Sequence, residues 1–271
     1  MRYFVLIFQI LILFEVYSQK IDSCFFVPKK NSFNCLDNNK YLNNIKNNDI
    51  VMFGEIHGIN QLPEFLSKAL SEFSKKDSII FAIELSEEQI SAYNSNRNVA
   101  LLKEKLFSKH SKDGKLNKAW LKMLASLKDN KKIIIKGIDI NNYRLNRDSL
   151  MAENLKQLVI ENPDKKIISL TGNLHNAWNN KFEYKTMAMY LNKILTKKKL
   201  AKTIAINFSW SEATARFDSG NGLEIQKLPE KNWSCKDEFP CENFLYKMED
   251  RKYGYDYFLF FNKITAARAV E

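Results

Sequence analysis

Residues 50–58 read "IVMFGEIHG", an apolar run followed at once by Gly54, Glu55 and His57. The chain has only three histidines and eight glycines in 271 residues, so this grouping is unusual. A continuous apolar run predicts a strand that is buried on both faces. The stretch therefore predicts a parallel sheet whose carboxyl edge carries Glu55 and His57.

Further runs of the same kind extend this pattern along the chain. Apolar, β-branched runs alternate with segments of helical spacing, which predicts an α/β fold with a mainly parallel sheet flanked by helices. After residue 209 the pattern changes: "ATARFDSGNGLEIQKL" is typical of a hairpin and "YDYFLFFNKI" of a strand. We expect these to add antiparallel strands or a flap at the C-terminus. The five apolar runs are 49–53, 78–85, 133–140, 167–171 and 203–208.

The N-terminal residues are typical of a secretory signal peptide. An apolar stretch from Tyr3 to Phe14 follows a single arginine and precedes a small-residue cleavage site. It is short for a membrane span, which needs ~20 apolar residues, although an uncleaved anchor is the alternative. We therefore predict a periplasmic or secreted protein. The predicted units are the signal peptide (1–18) and one α/β domain (19–271), with a core (45–210) and a C-terminal extension (211–271).

Export changes how the cysteines are interpreted, because thiols pair in an oxidising compartment. The sequence permits three pairings, of which we favour Cys24 with Cys35 and Cys235 with Cys241, since both close short polar loops. A zinc site made of all four thiols is the alternative. Neither spacing is the C-x-x-C that structural zinc sites use.

The formal charge of +11 raises the possibility of a nucleic-acid partner. The lysine clusters, however, each end a helical segment and precede a strand, where cations complement the helix dipole. We therefore expect a solvated basic rim at the edge where strands begin and no nucleic acid, with contact to an anionic envelope as the alternative. The clusters are at 75–76, 131–132, 165–166 and 197–199.

Ionisable residues gather where the predicted strands finish. In open parallel sheets this carboxyl edge forms the crevice that binds ligands. Gly54-x-x-His57 and Gly172-x-x-His175 are two copies of one local pattern, in which the glycine allows positive φ or close backbone approach. The residues predicted to surround the crevice are Glu55, His57, Glu84, Asp139, Asn173 and His175.

"GEIH", "GNLH" and the strand-terminal glutamate of "FAIEL" resemble the superfamily of TraB and GumN proteins, Tiki proteases, erythromycin esterases and ChaN-like haem-binding lipoproteins. The resemblance covers residues 49–210, and the ending "YDYFLFFNKITAAR" is similar to the closing strand of its esterase-like and ChaN-like branches. It implies an α/β fold with one shared crevice. Tiki-like members use paired histidines and a glutamate in metal-dependent peptide cleavage. Esterase-like members use a histidine as general base without requiring a metal.

Two departures from that superfamily are visible. Esterase-like members usually have two residues between the glutamate and the histidine of the first motif, whereas only Ile56 separates Glu55 from His57. This weakens assignment as a macrolide esterase. The best-known ChaN-like form is lipid-anchored, and no cysteine stands near the predicted cleavage site.

The resemblance leaves two catalytic schemes open. In the first, His57, His175 and Glu84 hold a divalent metal that lowers the pKa of its bound water, while Glu55 orients a ligand or acts as base. In the second, His57 takes a proton from water directly, held in its tautomer by Glu55 or Glu84. In either scheme the backbone amides near Gly172 and Asn173 are candidates for holding an oxyanion.

The sequence therefore predicts an exported hydrolase-like protein that cleaves an ester or amide bond of a small molecule or peptide. The alternatives are a non-catalytic haem-binding or metal-binding protein of the ChaN type, and a basic adhesive envelope protein. Motifs of serine hydrolases, zincins and P-loop proteins are absent from the sequence. The natural substrate and the oligomeric state are not set by the sequence.

Overall fold

The structure is a computed structural model that describes residues 34–35, 48–96, 115, 117–140, 146–179, 184–198, 202–218, 223–228, 243–247 and 254–268. Strands and helices alternate through most of this chain, as predicted. The strands are β1 (Asn34–Cys35), β2 (Ile50–Glu55), β3 (Ile79–Ser86), β4 (Ile133–Asp139), β5 (Lys166–Gly172), β6 (Thr203–Asp218), β7 (Leu223–Lys227), β8 (Asn243–Lys247) and β9 (Tyr257–Ile264). The helices are α1 (Gln61–Phe73), α2 (Glu87–Asn96), α3 (Lys118–Leu127), α4 (Arg147–Glu161) and α5 (Met187–Lys198), with a 3-10 turn at Asn173–Asn176.

Six parallel strands form the body of the sheet, in the order β9-β6-β2-β5-β3-β4. Beyond β9 the sheet continues with β8 and β1, each antiparallel to its neighbour, and β7 pairs antiparallel with the end of β6. The predicted α/β class with antiparallel C-terminal additions is confirmed. Every residue of β2 and β3 is buried, as expected of inner strands covered on both faces.

Two C-terminal details differ from the expectation. Strand β6 does not stop near residue 208 but runs to Asp218, because after leaving β2 it pairs with β9 and then with β7. Strand β9 is also parallel to β6, not antiparallel. The C-terminal residues therefore belong to the sheet itself, since β9 lies between β6 and β8.

Helices cover both faces of the sheet. The predicted apolar face of α1 is buried from Leu62 to Phe73 and packs in one core with α3, around the fully buried Trp120. Helices α4 and α5 contribute Met151 and Leu191 to the core on the other face. The arrangement is a three-layer α/β/α fold, and it brings the carboxyl ends of β2, β3, β4 and β5 to one edge.

The lysine clusters at 75–76, 131–132 and 165–166 lie at the opposite edge, where the parallel strands begin, whereas the cluster at 197–199 extends beyond the described residues. Lys132, just before β4, donates from Nζ to the carbonyl oxygens of Lys75 and Lys76 at 3.1 and 3.3 Å, just beyond the end of α1. The helix-dipole explanation is wrong for these clusters, because α1, α3 and α4 have no basic residue in their last turns and the lysines follow after the helices end.

The predicted signal peptide (1–18) lies outside the described residues, as do Cys24, Cys235 and Cys241. Cys35 is described only through its backbone pairing in β1. Export and both disulfides therefore stay predictions. In the part of the chain that the structure describes, no helix is long and apolar enough to cross a membrane.

Candidate active site

Glu55 and His57 form a carboxylate–imidazole pair at the end of β2. His57 Nδ1 lies 2.7 Å from Glu55 Oε1, and the indole Nε1 of Trp120 donates to Glu55 Oε2 at 3.3 Å. Glu55 is only 1% exposed, whereas the side chain of His57 is 19% exposed. The carboxylate is thus fixed inside the fold, and the imidazole reaches the crevice.

Asp148 and His175 form a second pair of the same kind. His175 Nδ1 lies 2.8 Å from Asp148 Oδ1, which also accepts the backbone N–H of Met187 at the start of α5. Because this oxygen acts as an acceptor, we assign the proton of His175 to Nδ1. His175 Nε2 then accepts from Arg147 Nη1 at 3.3 Å.

Glu84, at the end of β3, lies between the two pairs and is 1% exposed. Its Oε1 accepts from Lys115 Nζ at 2.8 Å and from Arg147 Nη2 at 2.5 Å, and its Oε2 accepts the backbone N–H of Gly172 at 2.5 Å. His57 Nε2 is 3.9 Å from Oε2 and His175 Nε2 is 3.7 Å from Oε1. Both imidazoles therefore turn their Nε2 atoms toward one buried carboxylate.

Asp139, at the end of β4, holds Arg147 in this position. Arg147 donates to the two carboxylate oxygens of Asp139 through Nε at 2.7 Å and Nη2 at 2.6 Å. This planar two-point contact fixes the guanidinium plane. The predicted residue Asp139 thus acts on the crevice through Arg147.

Gly172 leaves a gap between the two imidazoles, which we call the Gly172 gap. A Cβ atom built on Gly172 would lie 3.4 Å from His57 Nε2, 3.4 Å from His175 Cδ2 and 3.5 Å from Glu84 Oε2. The φ of Gly172 is −53°, which any residue adopts. The glycine is therefore not needed for its backbone conformation, and its missing side chain leaves room beside all three site residues.

The predicted oxyanion role of the Gly172 backbone amide is wrong. That N–H was a candidate for holding an oxyanion, but it already donates to Glu84. Asn173 contributes to the scaffold: its carbonyl oxygen accepts from the hydroxyl of Tyr255 at 2.9 Å, which braces the turn that carries His175.

Electrostatics differ between the site carboxylates. Burial raises the pKa of Glu84, but the positive charges of His57, Lys115, His175 and Arg147 outweigh burial and hold that pKa well below its usual range. Burial by itself lowers the pKa of His57, yet the hydrogen bond to Glu55 and its charge raise it above its ordinary value. Burial raises the pKa of Glu55, and its contact with His57 opposes this. Glu84 is thus a fixed anion, while Glu55 and His57 titrate as a coupled pair.

The predicted metal ligands come together but do not suit a divalent cation. Both oxygens of Glu84 already accept hydrogen bonds, and two permanent or near-permanent cations, Lys115 and Arg147, touch one of them. Such neighbours repel a metal ion at that position. Among the described residues, no group of three or more His, Cys, Asp or Glu side chains has metal-binding geometry.

Four functional side chains were missed from the sequence. Arg147 and Asp148 begin α4 shortly after β4, so their place at the carboxyl edge was a usable signal. Lys115 precedes α3 and Trp120 lies in its first turn, and their contacts with Glu84 and Glu55 span 31 and 65 residues of chain. No local pattern marks contacts of that kind.

Comparison with known proteins supports the fold. No family model matches the chain, and no curated protein matches it in sequence. A mutant of the erythromycin esterase EreC, in its open conformation, superposes with a TM-score of 0.63 at 13% identity, covering 84% of this chain and 93% of that one. A succinoglycan biosynthesis protein gives 0.61 at 12%, covering 88% and 93%, and a Bacillus cereus protein gives 0.61 at 13%, covering 88% and 94%.

At these identities the likeness concerns the fold alone. The chain has the α/β fold of erythromycin esterase, a hydrolase, as the resemblance of its paired G-x-x-H motifs implies. What the site does chemically has to be inferred from its own geometry.

Proposed function

We propose that this protein is a hydrolase that cleaves an ester or amide bond with water activated by the Glu55–His57 pair, without a metal. The supporting observation is that two carboxylate–imidazole pairs converge on the Gly172 gap. A Cβ atom at Gly172 would be in ordinary contact with His57, His175 and Glu84, so the gap holds about one small group, and we place the reacting carbonyl at its mouth.

His57 is the general base in this scheme. Its Nδ1 proton is held by Glu55, and among the described residues its Nε2 has no hydrogen-bond partner, since Glu84 is 3.9 Å away. Because the His57 side chain is 19% exposed, we place the attacking water at Nε2. Glu55 raises the pKa of His57, which makes the neutral imidazole a stronger base near neutral pH, and such catalysis contributes roughly 10²–10⁴-fold.

His175 and Arg147 act on the carbonyl oxygen of the substrate and not on the attacking water. His175 Nε2 is already occupied by Arg147 Nη1, so this imidazole is not free to accept a proton from water. The Arg147 guanidinium already donates to Asp139, Glu84 and His175, so it supplies fixed positive charge that stabilises the developing negative charge on the carbonyl oxygen. His175 is thus a positioning residue for Arg147.

The Glu55–His57 pair takes up one proton from water and later releases it to the leaving group. Water gives a proton to His57 Nε2 as its oxygen bonds to the carbonyl carbon. The imidazolium, stabilised by Glu55, then gives the proton to the leaving oxygen or nitrogen as the bond to carbon breaks. The products are a carboxylic acid and an alcohol or amine.

The test uses a panel of activated esters and peptide anilides, assayed on the purified mature protein before and after exhaustive chelation. We expect hydrolysis of at least one member of the panel, unchanged by chelation. His57→Ala should abolish it, with the folded fraction checked by circular dichroism.

Two results would overturn the proposal. Activity that disappears on chelation and returns with zinc would favour the metal scheme. A purified protein that carries stoichiometric haem and hydrolyses no member of the panel would favour the ChaN-type alternative.

We also propose that the protein is exported. The predicted cleavage site gives a mature chain that starts near Gln19 with two disulfides from its four cysteines. Intact mass spectrometry of protein from its native compartment should show that start and the loss of the four thiol hydrogens. Four free thiols would refute the disulfide prediction.

A further inference from the structure

A second concavity lies on the α1 and α3 side of the fold, apart from the residues of the candidate active site. It is an open depression of about 380 Å³, and its walls come from the starts of α1 and α3 and from the segment after β9. We call it the basic pocket. The lining residues that matter here are Asn60, Glu64, Lys118, Lys122 and Arg268.

The lining of the basic pocket is strongly one-sided in charge. Its lining includes three cationic residues, Lys118, Lys122 and Arg268, and one carboxylate, Glu64. Lys122 and Arg268 are exposed, so their charged groups are in contact with solvent. A concave surface with an excess of positive charge concentrates anions.

The wall of the basic pocket is rigidly built. Asn60 Nδ2 donates to Thr265 Oγ1 and to the carbonyl oxygen of Ala266, both at 3.0 Å. The backbone N–H of Lys118 donates to the carbonyl oxygen of Arg268 at 2.9 Å. The three walls are therefore tied to one another, and the fold fixes the backbone positions that carry the cationic side chains.

The same two segments also hold the candidate active site. Lys118 lies between Lys115, which contacts Glu84, and Trp120, which contacts Glu55. On the other wall, the backbone N–H of Ala267 donates to the carbonyl oxygen of Gly58 at 2.8 Å, directly after His57. The basic pocket and the Glu55–His57 pair thus draw on the same two segments of the chain.

We propose that the basic pocket binds an anionic group, a carboxylate or a phosphate, on the substrate that the Glu55–His57 pair cleaves. The inference rests on the proposed function and adds a substrate class to it. A substrate with an acidic tail binds with that tail in the basic pocket and its scissile bond at the Gly172 gap.

The first experiment measures anion binding without catalysis. The mature protein is titrated with succinate and, separately, with inorganic phosphate by calorimetry at low salt, which distinguishes the two anion types. We expect Lys122→Met with Arg268→Met to weaken binding of the preferred anion roughly 3-fold to 10-fold, and Glu64→Gln to strengthen it. Lys75→Met, at the opposite edge of the sheet, is the matched control and should leave binding unchanged. High salt should shrink every difference.

The second experiment measures selectivity. Two p-nitrophenyl esters of equal acyl length are compared, one neutral and one ending in a carboxylate, and the ratio of their kcat/KM values is determined. The double variant should lower the ratio for the acidic ester roughly 3-fold to 10-fold, Glu64→Gln should raise it, and Lys75→Met should not move it.

The two proposals fail in different ways. If no ester is hydrolysed but anions bind and the double variant weakens them, the basic pocket stands and the hydrolase proposal fails. If esters are hydrolysed but anion binding and the selectivity ratio are the same in all variants, the hydrolase proposal stands and the basic pocket is not an anion site.

Discussion

The two G-x-x-H motifs look identical in sequence, yet the structure uses their glycines differently. A Cβ atom on Gly54 would lie 2.7 Å from the Cα of Asn173, so this glycine lets the end of β2 pack against the turn that follows β5. A Cβ atom on Gly172 would meet only side-chain atoms at 3.4 Å or more. One glycine is needed for packing, and the other leaves the space in which we place the reaction.

The histidines of the two motifs also differ, in the hydrogen-bond partners of their ring nitrogens. His57 is held by Glu55, two residues away on its own strand end, and its Nε2 faces the crevice. His175 is held by Asp148 from α4, 27 residues away, and its Nε2 accepts from Arg147. Equal motifs therefore place imidazoles in unequal roles, a base and a positioning group.

The largest expected effect separates these roles directly. His57→Ala should reduce kcat/KM roughly 10²-fold to 10⁴-fold, because it removes the base. His175→Ala should reduce it less, because Arg147 keeps its contacts with Asp139 and Glu84. Rates per folded molecule, with circular dichroism as control, decide this. Equal losses, with a double variant no worse than either single one, would instead point to a shared metal.

The second-largest expected effect is the loss of stability when Glu84, the anion between the two pairs, is replaced. Glu84→Gln should lower the free energy of unfolding at pH 7 by roughly 3–5 kcal/mol, because Lys115 and Arg147 lose a buried partner. Urea unfolding measures this, with Glu72→Gln in the exposed Glu72–Lys75 pair as a control that should change it by less than about 1 kcal/mol.

Acidification sharpens the same test. The pKa of Glu84 is held below its usual range, so its stabilisation is present above the ordinary glutamate pKa of about 4.3 and is lost as the pH falls toward the lower folded value. The wild type should therefore lose more stability than Glu84→Gln on going below about pH 4. Parallel losses in the two proteins would contradict the assignment of Glu84 as a fixed anion.

A smaller effect on stability is expected when Gly54 and Gly172 are each replaced by alanine. Gly54→Ala should lower the free energy of unfolding by roughly 1–3 kcal/mol, because its methyl group collides with the backbone of Asn173. Gly172→Ala should change it by less, since it meets ordinary contact distances. Urea unfolding of the two variants measures this. A larger loss of stability for Gly172→Ala than for Gly54→Ala would show that the packing roles of the two glycines are assigned wrongly.

The smallest effect is a shift in pH dependence. Glu55 raises the pKa of His57, and the base acts only when deprotonated, so the rate should rise through a pKa above the ordinary value of about 6.5. Glu55→Gln removes the charge but can still accept from Nδ1, so the rising limb should move to lower pH. The pH profile of kcat/KM reports this, and an unmoved limb would exclude His57 as the titrating base.

Much of this site follows from the sequence for a simple reason. Glu55, His57, Glu84, Asp139 and His175 all fall where apolar runs end, and parallel strands bring those ends to one edge. Arg147 and Asp148 begin α4 shortly after β4 and were within reach of the same reasoning. Lys115 and Trp120 were not, because a contact such as Trp120 with Glu55 depends on how α3 packs over β2. Likewise β9 has a strand pattern, but its parallel pairing with β6 is decided by the whole sheet.

The Gly172 gap offers the most direct test, since Gly172→Ala adds one methyl group beside both imidazoles without changing the backbone amide that binds Glu84. The measurement is kcat/KM on the best ester of the panel, after chelation, together with the free energy of unfolding. We predict a loss of roughly tenfold or more in kcat/KM, with unfolding changed by less than about 1 kcal/mol. A Gly172→Ala variant that folds normally and turns over substrate as fast as the wild type would contradict the placement of the reaction between His57 and His175.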